Sequence, residues 1–397
     1  MNSKGVKNNA RTPRLLLLAA LLIASTATLC PAIDMKGVSL TPWDPNALLT
    51  ADADQTLAHA ADIGCNWIAI CLWWFQDDVN ATLIAPDYSR YCATPESVAH
   101  GIQRCHQLGL KVMLKPMVDC RDGNWRGCIN PSNAWFQTYR DFVAFWADVA
   151  RDNNVEMFCV GCELVKTLTW STSWRSIIQD IRSRYPGPLT YAANHGQETS
   201  ITWWDDLDYI GIDAYYALTN KNDPTLAELQ TAWNNRANAI QTWRNNSWPT
   251  KDIIFTEVGY QSVDGTNRTP WWRDPAANPL DLQEQAHCYQ ALLSVCRQRP
   301  WWRGAFWWNW ETNPDAGGPN DPYHPMQNKP AQLVLAEYYL TWPGDFNDDH
   351  DVDLIDLAFL SHHWLHTQVV GDPDLNLDHN VTLADFAILS HYWLATD

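Results

Sequence analysis

Eight apolar runs, each of strand length, recur along the chain. They occupy residues 35–40, 66–72, 110–116, 155–162, 188–193, 207–214, 252–258 and 304–308. Amphipathic, helix-like stretches lie between them, for example at residues 56–63, 95–108, 134–152, 173–184, 225–244 and 282–299. Continuous hydrophobicity is typical of parallel strands covered on both sides. Eight such units predict an α/β fold, the (β/α)8 TIM barrel. A doubly wound open sheet is the alternative, but no Gly-x-Gly-x-x-Gly turn follows the first run.

Polar and aromatic residues follow these runs. In a TIM barrel the carboxyl ends of the strands form the functional rim. The residues at those ends are Thr41, Trp43, Trp73, Trp74, Lys115, Asp119, Glu163, Asn194, His195, Asp213, Tyr215, Tyr216 and Glu257, with residues 307–311 after the eighth run. A purely structural barrel would have little reason to place charged, amide and aromatic groups there, so the pattern predicts one active-site rim.

A glutamate ends each of two runs. The sequences FCVGCE and IIFTE place Glu163 after the fourth strand and Glu257 after the seventh, where a charge is costly unless it is paired or used. These strands lie nearly opposite each other in an eight-stranded barrel, so the two carboxyl groups are expected to face each other. Retaining glycosidases need two carboxyl groups roughly 5–5.5 Å apart. This arrangement can supply them.

Two alternatives to this pairing stay open. One glutamate could be paired with a barrel cation, for instance Lys115, and only orient the other. Asp213 and Glu311 are further carboxylates at strand ends. Asp213 precedes Ala-Tyr-Tyr, and its position favours binding a hydroxyl or supporting the site over acting as the nucleophile.

Tryptophan is abundant, with 24 residues among 397, many in adjacent pairs. Indole rings stack on the C–H faces of sugars, so carbohydrate is the first ligand class to consider, although core packing accounts for many tryptophans. The net charge of −18 argues against nucleic acid, whose phosphates need a basic surface.

The first 32 residues have the pattern of a signal peptide. Four basic residues precede a short apolar run at residues 15–24, and small residues follow. The run is too short to span a bilayer comfortably, and no second apolar stretch approaches 18 residues, so we expect a secreted protein without a membrane span, extracellular or periplasmic. Cys30 could carry a lipid, although Thr28 and Leu29 fit a lipoprotein signal poorly.

The eleven cysteines do not form the framework of a small disulfide scaffold. Four of them, Cys65, Cys71, Cys159 and Cys162, lie in apolar runs and are expected to be packing residues. Cys120 and Cys128 bracket a glycine-containing loop and are the first candidates for a disulfide.

Segments throughout residues 34–342 resemble glycoside hydrolase family 113. The resemblance rests on the sequences GLKVMLKP, DGNWRG, FCVGCE, PLTYAAN, DYIGIDAY, FTEVGY and GAFWW, which occur in this order. It implies a clan-A type barrel at residues 33–342 and a retaining endo-β-1,4-mannanase, with Glu163 as acid/base and Glu257 as nucleophile. It implies no catalytic cofactor.

The position before the acid/base departs from the clan pattern. Many clan-A barrels carry asparagine there to bind the sugar 2-hydroxyl, and this chain has Cys162. Asn194 or Lys115 could bind the axial 2-hydroxyl of a mannoside instead. The remaining predicted substrate-binding residues are Asp213, the cleavage-subsite floor Trp307 and Trp308, and the flanking platforms Tyr215 and Trp74.

Residues 343–397 hold eleven aspartates and no Lys, Arg or Glu. A twelve-residue loop beginning at Asp345 is repeated 29 residues later, and an apolar helix pattern follows each copy, at residues 357–365 and 386–394. Oxygen ligands at such spacing predict EF-hand-like Ca²⁺ binding. The predicted ligands are Asp345, Asn347, Asp349, Asp351 and Asp356 in the first loop, and Asp374, Asn376, Asp378, Asn380 and Asp385 in the second.

The duplication resembles a type I dockerin, which implies a structural calcium module and a cohesin-like protein partner. His350 and His379 occupy the loop position where glycine normally makes the sharp turn. An acidic solvated tail is the alternative, but such a tail would not repeat a tryptophan at a fixed offset.

Three functional hypotheses follow. The first is a mannanase acting on mannan or glucomannan. The second is a related β-glycanase or an exo-β-mannosidase acting on another β-linked substrate. The third is a non-catalytic carbohydrate-binding scaffold, which would need the tryptophans but neither Glu163 nor Glu257.

Overall fold

The computed structural model describes residues 33–272, 274, 278–340, 344–346, 351–367, 373–375 and 380–393. The signal peptide predicted at residues 1–32, with Cys30, lies outside them. Within the described ranges, no helix is long and apolar enough to cross a bilayer.

Eight parallel strands form a closed barrel in sequence order. They are β1 (Met35–Thr41), β2 (Trp67–Gln76), β3 (Lys111–Cys120), β4 (Met157–Cys162), β5 (Leu189–Asn194), β6 (Tyr209–Asp213), β7 (Asp252–Val258) and β8 (Trp302–Glu311). The predicted TIM barrel is confirmed. The strands are almost wholly buried, as expected for a sheet covered on both faces.

The described barrel helices are α1 (Ala51–Asp62), α2 (Pro95–Gln107), α3 (Asn133–Asp152), α4 (Ser171–Arg184), α5 (Leu226–Ser247), α6 (Leu282–Cys296) and α7 (Pro330–Leu340). Hydroxyl N-caps begin several of them: Thr50 begins α1, Ser132 begins α3, and Thr225 begins α5 in a capping box with Glu228. The Thr50 cap explains why α1 begins five residues before the predicted stretch.

One predicted unit departs from the repeat. Between β5 and β6 the chain forms only two short 3₁₀ turns, Glu198–Ser200 and Trp204–Asp206, where a full helix was expected. The turns bury Trp203 and Trp204, so these two indoles cover the barrel where a helix would otherwise pack.

Barrel closure between β1 and β8 depends on Gly304. Its backbone has a φ of 141°, and a Cβ atom there would lie 2.0 Å from the Met35 carbonyl oxygen. Only glycine allows this approach of the two backbones.

Helix α7 ends against the amino-terminal end of the barrel. The Lys36 ammonium at the start of β1 donates to the carbonyl oxygen of Tyr339. Gly64, just before β2, packs so closely that a Cβ atom would lie 2.8 Å from the Tyr339 carbonyl carbon. The chain therefore leaves the barrel at the face opposite the carboxyl ends of the strands.

The C-terminal repeat forms two short helices, α8 (Leu354–His362) and α9 (Leu383–His391). Each begins three residues earlier than predicted, because Asp353 with Asp356 and Thr382 with Asp385 form capping boxes. Val352, Leu360, Val381 and Leu389 form a small core between the two halves.

All ten cysteines in the described ranges are free thiols. The candidate disulfide between Cys120 and Cys128 is therefore not formed. Cys120 ends β3 and is buried, and Cys128 lies in the turn after it.

Candidate active site

Glu257 lies at the centre of a buried hydrogen-bond network. The Lys115 ammonium is 2.5 Å from Oε1 of Glu257, and the Tyr215 hydroxyl donates to Oε2 at 2.9 Å. Both carboxylate oxygens therefore have a donor that fixes their orientation. Glu257 is 6% exposed, so it is held almost entirely by protein groups.

Lys115 is fully buried and has three oxygen partners. Besides Glu257, its ammonium contacts Oδ1 of Asp213 and the carbonyl oxygen of Thr256, each at 3.2 Å. Burial alone would lower the pKa of Lys115, but the negative charges of Asp213 and Glu257 raise it well above its usual value. The ammonium stays charged and its three donors are occupied. The expectation that Lys115 binds a sugar hydroxyl is therefore corrected: it pairs with the carboxylates beneath the site.

Asp213 is also completely buried. Its Oδ1 accepts from the Thr256 hydroxyl at 2.8 Å as well as from Lys115, and its Oδ2 accepts from the Cys162 thiol at 3.4 Å. Burial, and then the charge of Glu257, raises the pKa of Asp213 to about 7. With both oxygens occupied by protein groups, Asp213 supports the site and is not placed to bind sugar.

Glu163 follows directly after β4. Its φ of 52° lies in the left-handed region, which is costly for a residue with a side chain and is characteristic of functional sites. The amide of Glu163 donates to the Ala192 carbonyl on β5 at 2.8 Å, which fixes this turn. An oxygen of Glu163 lies within 4.8 Å of an oxygen of Asp213 and of the Cys162 sulfur.

Glu163 differs from Glu257 in its surroundings. It is half-buried, and its Oε2 accepts one hydrogen bond at 3.3 Å from the indole N–H of Trp125. Burial, and then the charge of Glu257, raises the pKa of Glu163. One glutamate thus pairs with a buried cation while the other is favoured in its protonated form, the division of roles that acid and nucleophile require.

Cys162 occupies the position before Glu163 and points into the barrel. Its sulfur contacts Oδ2 of Asp213 at 3.4 Å, the Arg126 guanidinium at 3.3 Å and Oε1 of Glu257 at 4.0 Å. Burial raises the pKa of the thiol well above its usual value. Cys162 is therefore a neutral link within the network, below the open part of the site.

Asn194 is the predicted 2-hydroxyl partner that remains at the rim. It lies at the end of β5, in register with Asp213, which is in register with Glu257. It is half-buried, and among the described residues its amide nitrogen makes one long contact of 3.5 Å, to the His195 carbonyl oxygen.

The tryptophan pairs divide between the inside and the outside of the barrel. Trp73 and Trp308 contact the barrel interior, and their rings pack edge to face with centroids 6.5 Å apart. Trp73 also stacks on the exposed Trp43, with ring centroids 3.8 Å apart. Trp74 packs against Phe142, Phe145 and Trp146 of α3. Trp307 is fully buried and stacks on Tyr289, and its indole N–H donates a hydrogen bond to the Tyr339 hydroxyl.

The expectation that Trp74 and Trp307 bind substrate is therefore corrected. Successive side chains of a strand point to opposite faces, so only one member of each pair can face the barrel axis. The structure places Trp73 and Trp308 on that side.

Two functional candidates were missed by the sequence analysis. Trp125 contacts Glu163, and Arg126 contacts both Asp119 and Cys162. Their signal was present in the DGNWRG motif, but that motif lies in a loop beyond the end of β3, where strand counting assigns no side chain a direction.

The predicted calcium ligands are only partly described. Asp345, Asp356, Asp374 and Asp385 are buried, at 5%, 0%, 2% and 0% exposed. Asp351 and Asn380 are also described and half-buried. Asn347, Asp349, Asn376 and Asp378, like His350 and His379, lie outside the described residues. Buried carboxylates in a segment that contains no Lys or Arg fit a hard divalent cation.

The closed barrel, the two glutamates on facing strands and the surrounding indoles define a (β/α)8 glycoside hydrolase. The model of glycoside hydrolase family 113 matches residues 45–325, and the chain belongs to this family. The dockerin type I domain model matches residues 343–394.

Solved structures of the same family resemble the chain closely. A family 113 β-1,4-mannanase, solved as a complex, is 27% identical over 77% of this chain and 98% of its own, with a TM-score of 0.69. The family 113 β-mannanase from Alicyclobacillus acidocaldarius, in complex with ManMIm, is 29% identical over 78% and 98%, with a TM-score of 0.70.

More distant structures share the barrel alone. The β-glucuronidase from Faecalibacterium prausnitzii is 15% identical over 77% of this chain and 49% of its own, with a TM-score of 0.53. No curated protein matches the chain.

Proposed function

We propose that the chain is an exported, retaining endo-β-1,4-mannanase that cleaves mannan or glucomannan by double displacement. The observation that carries the proposal is the contrast between the two glutamates. Glu257 is oriented through both oxygens and paired with a buried ammonium, while burial raises the pKa of Glu163. The likeness to family 113 β-mannanases supports mannan as the substrate.

In the first step, an oxygen of Glu257 attacks the anomeric carbon and the glycosidic C–O bond breaks. Glu163 gives its proton to the departing oxygen, so the leaving sugar departs as a neutral alcohol. Lys115 and Tyr215 keep the attacking carboxylate in one orientation.

In the second step, the roles of Glu163 and Glu257 reverse. The ionised Glu163 takes a proton from water, the water oxygen attacks the anomeric carbon, and Glu257 leaves as a carboxylate. Two inversions at the same carbon give net retention. Asp213 accepts hydrogen bonds from Lys115 and from Cys162, and these contacts hold Lys115 in place during both steps.

The C-terminal repeat is proposed to bind calcium and a cohesin-like protein. Its loops would hold Ca²⁺ through the predicted oxygen ligands, and this ion would supply structural order to the repeat and no chemistry to the barrel. Family membership in the type I dockerins supports this assignment.

The test is a panel of linear mannan, glucomannan, cellulose and xylan with sizing of the released products. Internal cleavage of mannan and glucomannan into oligosaccharides is expected. Release of single mannose units would indicate an exo-acting mannosidase, and activity confined to cellulose or xylan would indicate a different β-glycanase. Binding without product release would support a carbohydrate-binding scaffold and contradict the proposal.

The roles of the glutamates are tested separately. Glu257→Ala is expected to lose activity by 10³-fold or more, as roughly expected for removal of a nucleophile. Glu163→Ala with added azide is expected to form a glycosyl azide of β configuration, because the azide replaces water in the second step. An azide product of α configuration, or rescue of Glu257→Ala to the β product, would reverse the assignment.

A further inference from the structure

Trp125 is an exposed aromatic residue that contacts the proposed acid/base directly. It lies in the loop after β3, immediately before the 3₁₀ turn Arg126–Cys128. Its indole N–H is 3.3 Å from Oε2 of Glu163, and 37% of its surface is exposed. A hydrogen-bond donor to the acid and an open ring surface therefore belong to one side chain.

Two contacts anchor the backbone that follows Trp125. Arg126 is 6% exposed and forms a bidentate pair with Asp119, at 2.8 Å and 3.1 Å. The carbonyl oxygen of Trp125 accepts from the Cys128 amide at 2.9 Å. A bidentate guanidinium–carboxylate pair fixes direction as well as distance, so the loop is held to β3.

The ring of Trp125 occupies the space that a side chain at position 127 would fill. A Cβ atom at Gly127 would lie 2.4 Å from Cη2 and from Cζ3 of the Trp125 indole. The six-membered ring thus lies directly over the α-carbon of Gly127, which no other residue would permit at this distance. The orientation that presents the N–H to Glu163 is consequently built into the loop.

We propose that Trp125 positions Glu163 through its indole N–H and offers its open ring surface to the sugar on the leaving-group side. This inference rests on the proposed roles of the two glutamates. Within the described part of the chain, Trp125 bonds to Glu163, whereas Glu257 is held by Lys115 and Tyr215. The leaving sugar is the one whose oxygen Glu163 protonates, so a ring beside Glu163 lies beside that sugar.

A donor to the carboxylate favours the ionised form of Glu163 and so lowers its pKa, opposing the effect of burial. The other titratable or charged groups that face Glu163 are Arg126, Lys115, Glu257, Asp213, Cys162 and Tyr215. None of them is altered by Trp125→Phe, which removes the N–H and keeps an aromatic ring. The variant therefore isolates this one hydrogen bond.

The first test is the titration of Glu163 in the full chain without substrate. Side-chain ¹³C signals of labelled glutamate are followed with pH, and Glu163→Gln identifies the signal of Glu163 by its loss. In Trp125→Phe the titration of Glu163 is expected to move to higher pH than in the unsubstituted chain. Superimposable titrations would overturn the positioning role, whatever the enzyme hydrolyses.

The second test compares substrates. Trp125→Phe is expected to reduce kcat/KM on mannotetraose by about tenfold, the loss of roughly one hydrogen bond to a charged group, and Trp125→Ala to reduce it further. On an aryl β-mannobioside with an acidic phenol leaving group, kcat/KM should fall much less in both variants, because it reports the first step alone, in which this leaving group needs no proton from Glu163 and carries no sugar. An equal loss on both substrates would overturn the leaving-group assignment.

Two further variants serve as controls. Trp364→Phe changes a tryptophan of the C-terminal repeat that is 36% exposed, almost the same as Trp125. This variant should leave kcat/KM unchanged on both substrates. Gly127→Ala keeps Trp125 but displaces its ring and should reproduce the titration shift of Trp125→Phe; an unchanged titration would contradict the role of Gly127. If the unsubstituted chain does not cleave mannan, the substrate proposal fails while the titration still decides the positioning role.

Discussion

At the scale of single residues, the site is built around one buried cation. Lys115 forms ion pairs with Glu257 and Asp213, and all three side chains are buried. Removing one partner of such a group leaves a buried charge without compensation, which costs on the order of 3–5 kcal/mol.

We therefore expect Lys115→Met to lose both activity and stability. kcat should fall by about 10²-fold or more, because Glu257 is no longer held or neutralised, and the melting temperature should fall as well. Lys329→Met is the matched control: Lys329 is also buried, but its partners are Ser262, Tyr323 and Asp321. A Lys115→Met enzyme with normal kcat would contradict the role assigned to the cation.

The acid/base assignment predicts a direction in the pH profile. Burial raises the pKa of Glu163, so the proton needed for catalysis is retained to higher pH than on an ordinary glutamate and is lost as the pH rises through the raised value. The basic limb of kcat/KM should lie above the usual carboxyl range. In Glu163→Ala, assayed with an aryl glycoside of acidic leaving group, that limb should disappear; an unchanged limb would show that another group titrates.

The positions of Glu163 and Glu257 at the ends of β4 and β7 could be predicted from the sequence, whereas the directions of the tryptophans were predicted wrongly for Trp74 and Trp307. In β2 the small residues Ala69 and Cys71 share the inner face with Trp73, and Trp74 alternates to the outside. That signal was readable, since a narrow barrel interior favours small side chains. In β8, pairing shifts register beside Trp307, so counting from the neighbouring strand would give no secure answer there.

At the scale of elements, closure of the sheet depends on the contact between β1 and β8. Gly304→Ala would place a methyl group 2.0 Å from a backbone oxygen, which the pairing cannot accommodate. We expect loss of soluble protein or a stability loss above roughly 3 kcal/mol, measured by thermal unfolding.

Gly318→Ala is the matched control for this substitution. Gly318 also has a positive φ, 83°, but a Cβ atom there would have no neighbour within 4 Å among the described residues. Its cost should be limited to the backbone preference, about 1 kcal/mol. Equal losses for the two variants would show that backbone conformation, and not the close approach of β1 and β8, limits the choice of residue.

The sequence indicated all eight strands because continuous apolar runs are strong signals, but it indicated neither helix α7 nor the short turns between β5 and β6. Helix α7 is apolar on several sides, with Leu333 exposed at 68%, and so lacks a clear amphipathic pattern. The absence of a helix between β5 and β6 of the described chain could not be anticipated. There the barrel is covered by Trp203 and Trp204, which lie in short turns.

At the scale of the whole molecule, the chain joins a barrel whose buried charges form ion pairs, such as Lys115 with Glu257 and Arg126 with Asp119, to a segment with eleven aspartates and no Lys or Arg. If calcium binds that segment, chelation should unfold the repeat and leave the barrel intact. Calorimetry with and without EDTA should show a transition that moves with calcium, while kcat on mannan stays constant. A single transition unaffected by EDTA would contradict calcium binding.

Helix α7 ends at the back of the barrel, where Lys36 contacts Tyr339, so the polypeptide continues from the side remote from the catalytic rim. If the enzyme is attached through its C-terminal repeat, the active-site rim would consequently face away from the attachment point and stay accessible to the polysaccharide. Attachment and hydrolysis of a large, insoluble polysaccharide could then occur at the same time. The distance between the attachment point and the cleaved bond would be limited by the length of chain that joins α7 to the C-terminal repeat.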